Sequence, residues 1–175
     1  MADLTQLPTE IFVEKFKEIC LSQPSIFSKI AYEMINGTKH RQIYHGEGIP
    51  NGKKFPCVQY MYTSGPSEEI LPSESGTLSI YVYIEKDTIE AYQECFRLLN
   101  AIDDKINNHP DIFTEINQSL NKGLLCKKCT RASRQDLNFH DTYKLFFMSS
   151  VYDIRISNKL EDYKDVNNQS WNPNI

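Results

Sequence analysis

The sequence predicts an α+β fold, a mainly antiparallel sheet of four to five strands flanked by helices. Three observations predict it. From Gly76 to Glu85 the residues alternate, with Leu78, Ile80, Val82 and Ile84 on one face and Thr77, Ser79, Tyr81 and Tyr83 on the other. A period of two with β-branched and aromatic side chains marks a strand with one buried face. Immediately afterwards the period changes: Ile89, Tyr92, Phe96, Leu99, Ile102 and Ile106 recur at steps of three and four, the stripe of an amphipathic helix. Two more strand-like stretches then follow with no helical pattern between them. Strands in succession with helices set to one side form an antiparallel layer rather than a parallel one.

The elements can be justified in chain order. A helix is expected from Thr9, with Pro8 near its first turn and Phe12, Phe16, Ile19 and Cys20 as its apolar stripe. Ser22 to Ser25 interrupts it. Ser25 can cap a second helix carrying Ile26 or Phe27, Ile30, Ala31 and Met34, ended by Asn36-Gly37 in left-handed conformation. Gln42 to His45 reads as a brief strand, and Gly46 to Gly52 as a loop. Lys54 to Tyr62 is a strand with Pro56 at its first residues or on an edge. The polar stretch Thr63 to Ser75 is expected to be a long projecting loop. The alternating strand follows, and then its helix, capped by Asp87 or Thr88 and stopped at His109-Pro110. Asp111 to Leu120 fits a short helical turn. Leu124 to Ala132 and Asp141 to Ile156 are the last strands, joined by a polar hairpin loop, Ser133 to His140. Phe146, Met148, Tyr152, Ile154 and Ile156 share a face of the second, and Ser149-Ser150 is a candidate bulge. The organisation expected is a single domain over 1–156, with N-terminal helices in 9–36 and sheet and helix in 42–156. A polar tail over 157–175 follows.

Composition narrows the classes. A 40% apolar share fits a globular chain, and a net charge of −4 leaves no electrostatic footprint for nucleic acid. No apolar run reaches the roughly 18 residues of a membrane-spanning helix. The first residues lack a basic region followed by an apolar one, and the five cysteines are odd in number. Both point to free thiols in a reducing compartment.

The motifs with chemical potential are sparse. Cys126-Lys-Lys-Cys129 has the spacing of half a zinc site, with His140 eleven residues on, but no second pair follows. In a regular strand its two thiols point to opposite faces. Cys20 and Cys95 fall on helical stripes, as small apolar residues do. Gly46-Glu-Gly48 with Gly52 lacks the spacing and the following helix of a phosphate-binding loop. Lys122, Lys127, Lys128, Arg131 and Arg134 form a basic cluster, readable as an acidic-partner surface or as a protected edge strand. No nucleophile, base and orienting group stand in a recognisable arrangement. The surface candidates are therefore contacts. They are Tyr81 and Tyr83 on the face opposite the core, Glu68 and Glu69 in the long loop, Arg131 and Arg134 in the basic cluster, and Tyr163 and Trp171 in the tail. Interfaces favour aromatic and arginine side chains. For Tyr81 and Tyr83 the alternative is a covering helix.

The order of parts carries a resemblance. A leading helix precedes Ile43-Tyr-His-Gly46, and then comes Phe55-Pro56-Cys57-Val58-Gln59-Tyr60, a "Pro, then apolar-x-apolar" strand after a Gly/Pro-rich loop. An alternating strand runs directly into an amphipathic helix, and two closing strands end in Asp153-Ile-Arg-Ile156. From Ser25 to Ile156 this resembles the tail terminator and tail completion proteins of long-tailed bacteriophages, a head-tail joining family. The resemblance implies a structural virion protein without catalytic residues, metal or cofactor. It implies a homo-oligomeric ring, commonly a hexamer, that ends tail-tube polymerisation and offers the docking surface for the head. Its partners would be itself, the tail tube protein and the head-tail connector protein. DNA would pass through the ring without sequence-specific recognition, and no membrane is involved. The expected location is the virion tail or neck, and the host cytoplasm during assembly. Two alternatives stay open: a connector or neck adaptor ring, and a small thiol- or zinc-dependent enzyme built on Cys126, Cys129 and His140.

Overall fold

A computed structural model describes residues 8–46, 48–49, 52–67, 74–107, 110–117 and 122–157. Helix α1 spans Pro8–Lys15 and continues as a widened π-helical turn over Phe16–Cys20. A single turn, α2 (Pro24–Phe27), follows. Next come strands β1 (Tyr32–Ile35), β2 (Thr38–Arg41), β3 (Ile43–His45), β4 (Cys57–Ser67) and β5 (Glu74–Ile84). Helix α3 (Ile89–Ile106), a 3-10 turn at Pro110–Phe113, and strands β6 (Glu115–Asn117), β7 (Lys122–His140) and β8 (Leu145–Ser157) complete the order. The main sheet runs β3-β4-β5-β8-β7-β6, and only β3 and β4 are parallel. The class is therefore α+β, and the four to five expected strands are joined by the short edge strand β6.

All the helices pack on one face of this sheet. Phe12, Phe16, Cys20, Leu21, Ile26 and Ile30 from the N-terminal segment meet Val58, Tyr60 and Tyr62 of β4 and Leu78, Ile80, Val82 and Ile84 of β5. Phe16 lies 4.6 Å from the Tyr60 ring and Phe12 lies 5.0 Å from Tyr62, centroid to centroid. From β8, Met148, Tyr152, Ile154 and Ile156 enter the same core, as their alternation predicts. β5 and β8 pair in unbroken register from Glu74↔Ile156 to Ile84↔Phe146, which makes the alternating strand an inner one.

Several expectations are corrected. The second helix ends at Phe27, and the stretch holding Met34 is a hairpin, with Tyr32↔Arg41 and Ile35↔Thr38 paired. Asn36 (φ 51°) and Gly37 (φ 78°) form its two-residue turn. Positive φ at both positions matches the right-handed twist of the flanking strands, so Asn-Gly is a hairpin signal as well as a helix stop. Of the expected loop Thr63 to Ser75, the described residues 63–67 and 74–75 are strand, paired from Thr63↔Thr77 out to Ser67↔Glu74, with threonine at home on a pleated surface, while 68–73 lie outside the described residues. Ser133 to His140 is also strand. The connection is instead the turn 141–144, where Lys144 has φ 54° and its N–H meets the His140 carbonyl at 2.8 Å. The register shifts of the β7-β8 pairing lie in β7, between Cys126/Lys128, Arg131/Ser133 and Gln135/Asn138, and Ser150 and Ser149 pair regularly with Arg134 and Gln135 between the last two. Of the expected tail 157–175, Ser157 is the last residue of β8, and 158–175 lies outside the described residues.

Helix α3 begins as expected: the Thr88 hydroxyl accepts from the Ala91 N–H at 3.2 Å. Its rotation differs. Cys95, Leu98, Leu99, Ile102 and Ile106 face the sheet, while Ile89 is 74%, Tyr92 36% and Phe96 38% exposed. Small and aliphatic side chains lie flat on the sheet, and the larger aromatics are left at the rim.

Candidate functional site

The residues expected to make contacts fall in different places. Tyr83 is buried, and its hydroxyl donates to Gln59 Oε1 at 2.9 Å. Half-buried Tyr81 stacks beside it at 6.1 Å and meets Phe147 edge-on at 5.8 Å. Neither a helix nor an open surface occupies that face at this end. A small aromatic cluster does, built from Cys57, Tyr83, Leu145 and Phe147 under Tyr44, Ile49, Phe55 and Tyr143. Tyr83 is thus a core residue of the second face. Burial pushes the Tyr83 phenol well above its ordinary range, so it stays a hydrogen-bond donor.

Arg131 and Arg134 turn inward instead of forming a basic patch. Their NH1 groups donate to Oδ2 of Asp103 on α3 at 3.0 and 3.2 Å, and Arg134 also reaches Asn100 Oδ1 at 2.6 Å. Ser150 Oγ donates to the same Oδ2 at 3.0 Å, and the Tyr152 hydroxyl donates to Oδ1. Asp103 is 3% exposed, so a buried carboxylate is tied to two guanidiniums and two hydroxyls. This satisfies the rule that a buried charge is paired and hydrogen-bonded. Burial, with Asp103 beside it, pushes the Tyr152 phenol strongly upward. The network joins α3 to β7 and β8. It was missed because Asp103-Asp104 looks like a solvated pair. The available signal was spacing: Asp103 falls four residues after Leu99 and three before Ile106, in line with the apolar stripe.

Cys126 and Cys129 both lie in the helix-side core. The bulge between Cys126 and Lys128 breaks the alternation that sets them on opposite faces. Their thiols donate to the carbonyls of Lys128 and Ile106 at 3.3 and 3.4 Å. Burial raises the Cys20 and Cys129 thiols well above the ordinary range, and raises those of Cys57 and Cys95 to about 12. Such thiols are poor nucleophiles near neutrality. His140 lies in the other cluster, stacked on Tyr143 at 4.4 Å, so the structure does not bring it to the cysteines. Among the described residues no three His, Cys, Asp or Glu side chains are grouped to hold a metal ion. No described helix is long and apolar enough to cross a membrane. A cleft of about 250 Å³ lies between the 46–56 loop and the 141–144 turn, with Lys53, Phe55, Glu85 and Tyr143 in its lining. Lys53 is committed to Glu33 at 3.1 Å.

The exposed apolar side chains that stand out lie on the β1-β2 hairpin and on the outer flank of α3. At the β3 end the β1-β2 hairpin forms its own two-stranded sheet, with Tyr32 42%, Met34 60% and Ile35 44% exposed. Its base is anchored by the Ala31 N–H to the Pro56 carbonyl and by Arg41 to the carbonyls of Ser28 and Ile30. The Lys39 ammonium lies 3.9 Å over the Tyr32 ring. At the other end β6 pairs with β7 only at Lys122 to Leu124, which leaves the rest of that edge without a described strand. On the outer flank of α3, which packs over β5 and β8, Tyr92 and Phe96 stack at 6.2 Å, and Arg134 of β7 lies 4.9 Å over Phe96. Glu68, Glu69, Tyr163 and Trp171 lie outside the residues whose side chains are described. No protein-family model matches this sequence, and no curated protein matches it.

Proposed function

We propose that this chain is a structural subunit of a homo-oligomeric ring, and that the ring serves as the tail terminator of a long-tailed bacteriophage. In that role it stops growth of the tail tube and presents the surface that receives the head. One observation carries the reading: the exposed apolar side chains fall on two different surfaces, Tyr32, Met34 and Ile35 on the β1-β2 hairpin and Ile89, Tyr92 and Phe96 on the outer flank of α3. A subunit of a closed ring contacts two neighbours through two different surfaces, as a heterologous interface requires. The order of strands and helices that resembles the tail terminator family supplies the setting. The Asp103 network and the buried thiols serve the rigidity of the subunit. They give α3 a fixed position over the sheet and so fix the rim residues it presents.

Negative-stain microscopy of the purified chain, with light scattering for mass, tests this. Rings of uniform symmetry with an open centre are expected, and they should cap isolated tail tubes. A chain that stays monomeric with tail tubes present would sink the reading.

A further inference from the structure

We infer that the cleft between the 46–56 loop and the 141–144 turn takes one cationic side chain, an arginine or lysine presented by a partner protein. The inference does not depend on the ring reading. Size comes first. At about 250 Å³ the cleft falls below the roughly 300–1,000 Å³ of sites for cofactors and drug-sized molecules, so it suits a single long side chain.

The walls are apolar, partly aromatic, and fixed. Phe55 and Tyr143 line the cleft together with Ile49 and Leu145. Leu145 belongs to the small core on the second face of the sheet, and the other three pack against that core. Tyr143 is held by His140, stacked on it at 4.4 Å, and meets Tyr83 edge-on at 6.1 Å. The turn that carries Tyr143 is closed by the Lys144 N–H on the His140 carbonyl at 2.8 Å. Walls already in place lose little conformational freedom when a ligand arrives. Aromatic rings attract a cation, and the aliphatic stem of arginine or lysine packs on apolar surface while its charged head stays near water.

The charges decide the sign of the ligand. Among the described residues the charged side chains in the lining are Lys53 and Glu85. The Lys53 ammonium is already paired with Glu33 at 3.1 Å, and the two side chains are 24% and 27% exposed. That pair leaves no net charge at the cleft. Glu85, the residue after β5, is paired with no cation among the described residues. An anion would meet this carboxylate with no ammonium to spare, and a neutral chain would leave it unused. Because Glu85 is exposed, its attraction is screened, and a lone cationic side chain binds in the millimolar range. Such a contact belongs to one residue of a larger interface.

Saturation-transfer difference NMR on the full-length chain tests this. The probes are Nα-acetyl-arginine amide, Nα-acetyl-lysine amide, the neutral Nα-acetyl-citrulline amide, and spermidine as a free organic cation. The arginine and lysine amides should bind at least about fivefold more tightly than the citrulline amide. Glu85→Gln should weaken both by about threefold or more with an unchanged melting temperature, since the side chain is at the surface. Tyr143→Leu keeps an apolar wall and should weaken the same two probes; if it also lowers the melting temperature, Glu85→Gln carries the test. Citrulline amide bound as tightly as arginine amide overturns the inference, because the cleft then recognises only apolar surface. Binding unchanged in both variants overturns it too, since the cations then sit elsewhere on a chain of net charge −4. So does the absence of saturation on either amide. Spermidine bound at least about tenfold more tightly than either amide, and released by Glu85→Gln, overturns the protein source and makes the ligand a free polyamine. Ring formation is read separately by microscopy, so failure here leaves the ring reading standing.

Discussion

Asp103 occupies a place on the buried side of α3 where Leu99, Ile102 and Ile106 would suit another aliphatic residue. A carboxylate there is tolerated only because Arg131, Arg134, Ser150 and Tyr152 surround it. Removing it leaves two guanidiniums facing each other over an apolar floor. Breaking a fully buried pair costs roughly 3–5 kcal/mol. The Arg131 and Arg134 side chains are 35% and 21% exposed and so retain some hydration. Asp103→Ala should therefore lower stability by about 2–3 kcal/mol, and Asp103→Asn, which keeps an acceptor, by less. Urea unfolding measures both, and an Ala variant as stable as the wild type would remove the network from any account of this fold. The helical spacing makes the burial of Asp103 readable from the sequence. Its partners are not readable, since they lie 28 to 49 residues away and only the sheet brings them together.

At the scale of elements, of the two cap candidates Asp87 and Thr88 the structure uses Thr88, and the inner strand and the inward face of β8 follow directly from periodicity. The hairpin at Tyr32–Arg41 does not, since Ile30, Ala31 and Met34 also fit a helical stripe and Asn-Gly ends helices as well as closing hairpins. The turn decides it physically: Asn36 and Gly37 both have positive φ. Gly37→Val puts a β-branched residue at φ 78°, a region such side chains almost never adopt, and should cost about 1–2 kcal/mol locally. The expected outcome is faster amide exchange in β1 and β2 by about tenfold or more, with β5 and β8 still protected. Unchanged exchange at the hairpin would mean that its pairing does not depend on this turn. The bulges of β7 were equally hidden. Whether Cys126 and Cys129 share a face depends on one extra residue between register partners, and the partner strand sets that residue.

For the whole molecule, the buried thiols and phenols link stability to pH. Burial holds Cys57 and Cys95 at about 12, against an ordinary thiol value of 9.0, and Tyr60 at about 12 against 10.0. Above pH 9 the unfolded chain therefore binds fewer protons than the folded one, so stability falls as pH rises. The contribution is complete below about pH 9 and is lost progressively up to about pH 12, with a slope of at most about 1.4 kcal/mol per pH unit for each thiol. Urea unfolding at pH 8 and pH 10 should show the loss, and a Cys57→Ala, Cys95→Ala double variant should flatten it. An equal slope in that variant would assign the alkaline loss to other groups. By itself the sequence determined the α+β class, the inner strand with its following helix, and which faces of β5 and β8 are apolar. Those properties come from the local period of side chains along the backbone. Only the tertiary structure decided that Tyr83 closes a second small core, that Arg131 and Arg134 turn in to Asp103, and that Ile89, Tyr92 and Phe96 stay at the rim. Hydrophobicity says that a side chain prefers burial, but the rotation of a helix on its sheet and the pairing of distant strands decide which ones obtain it.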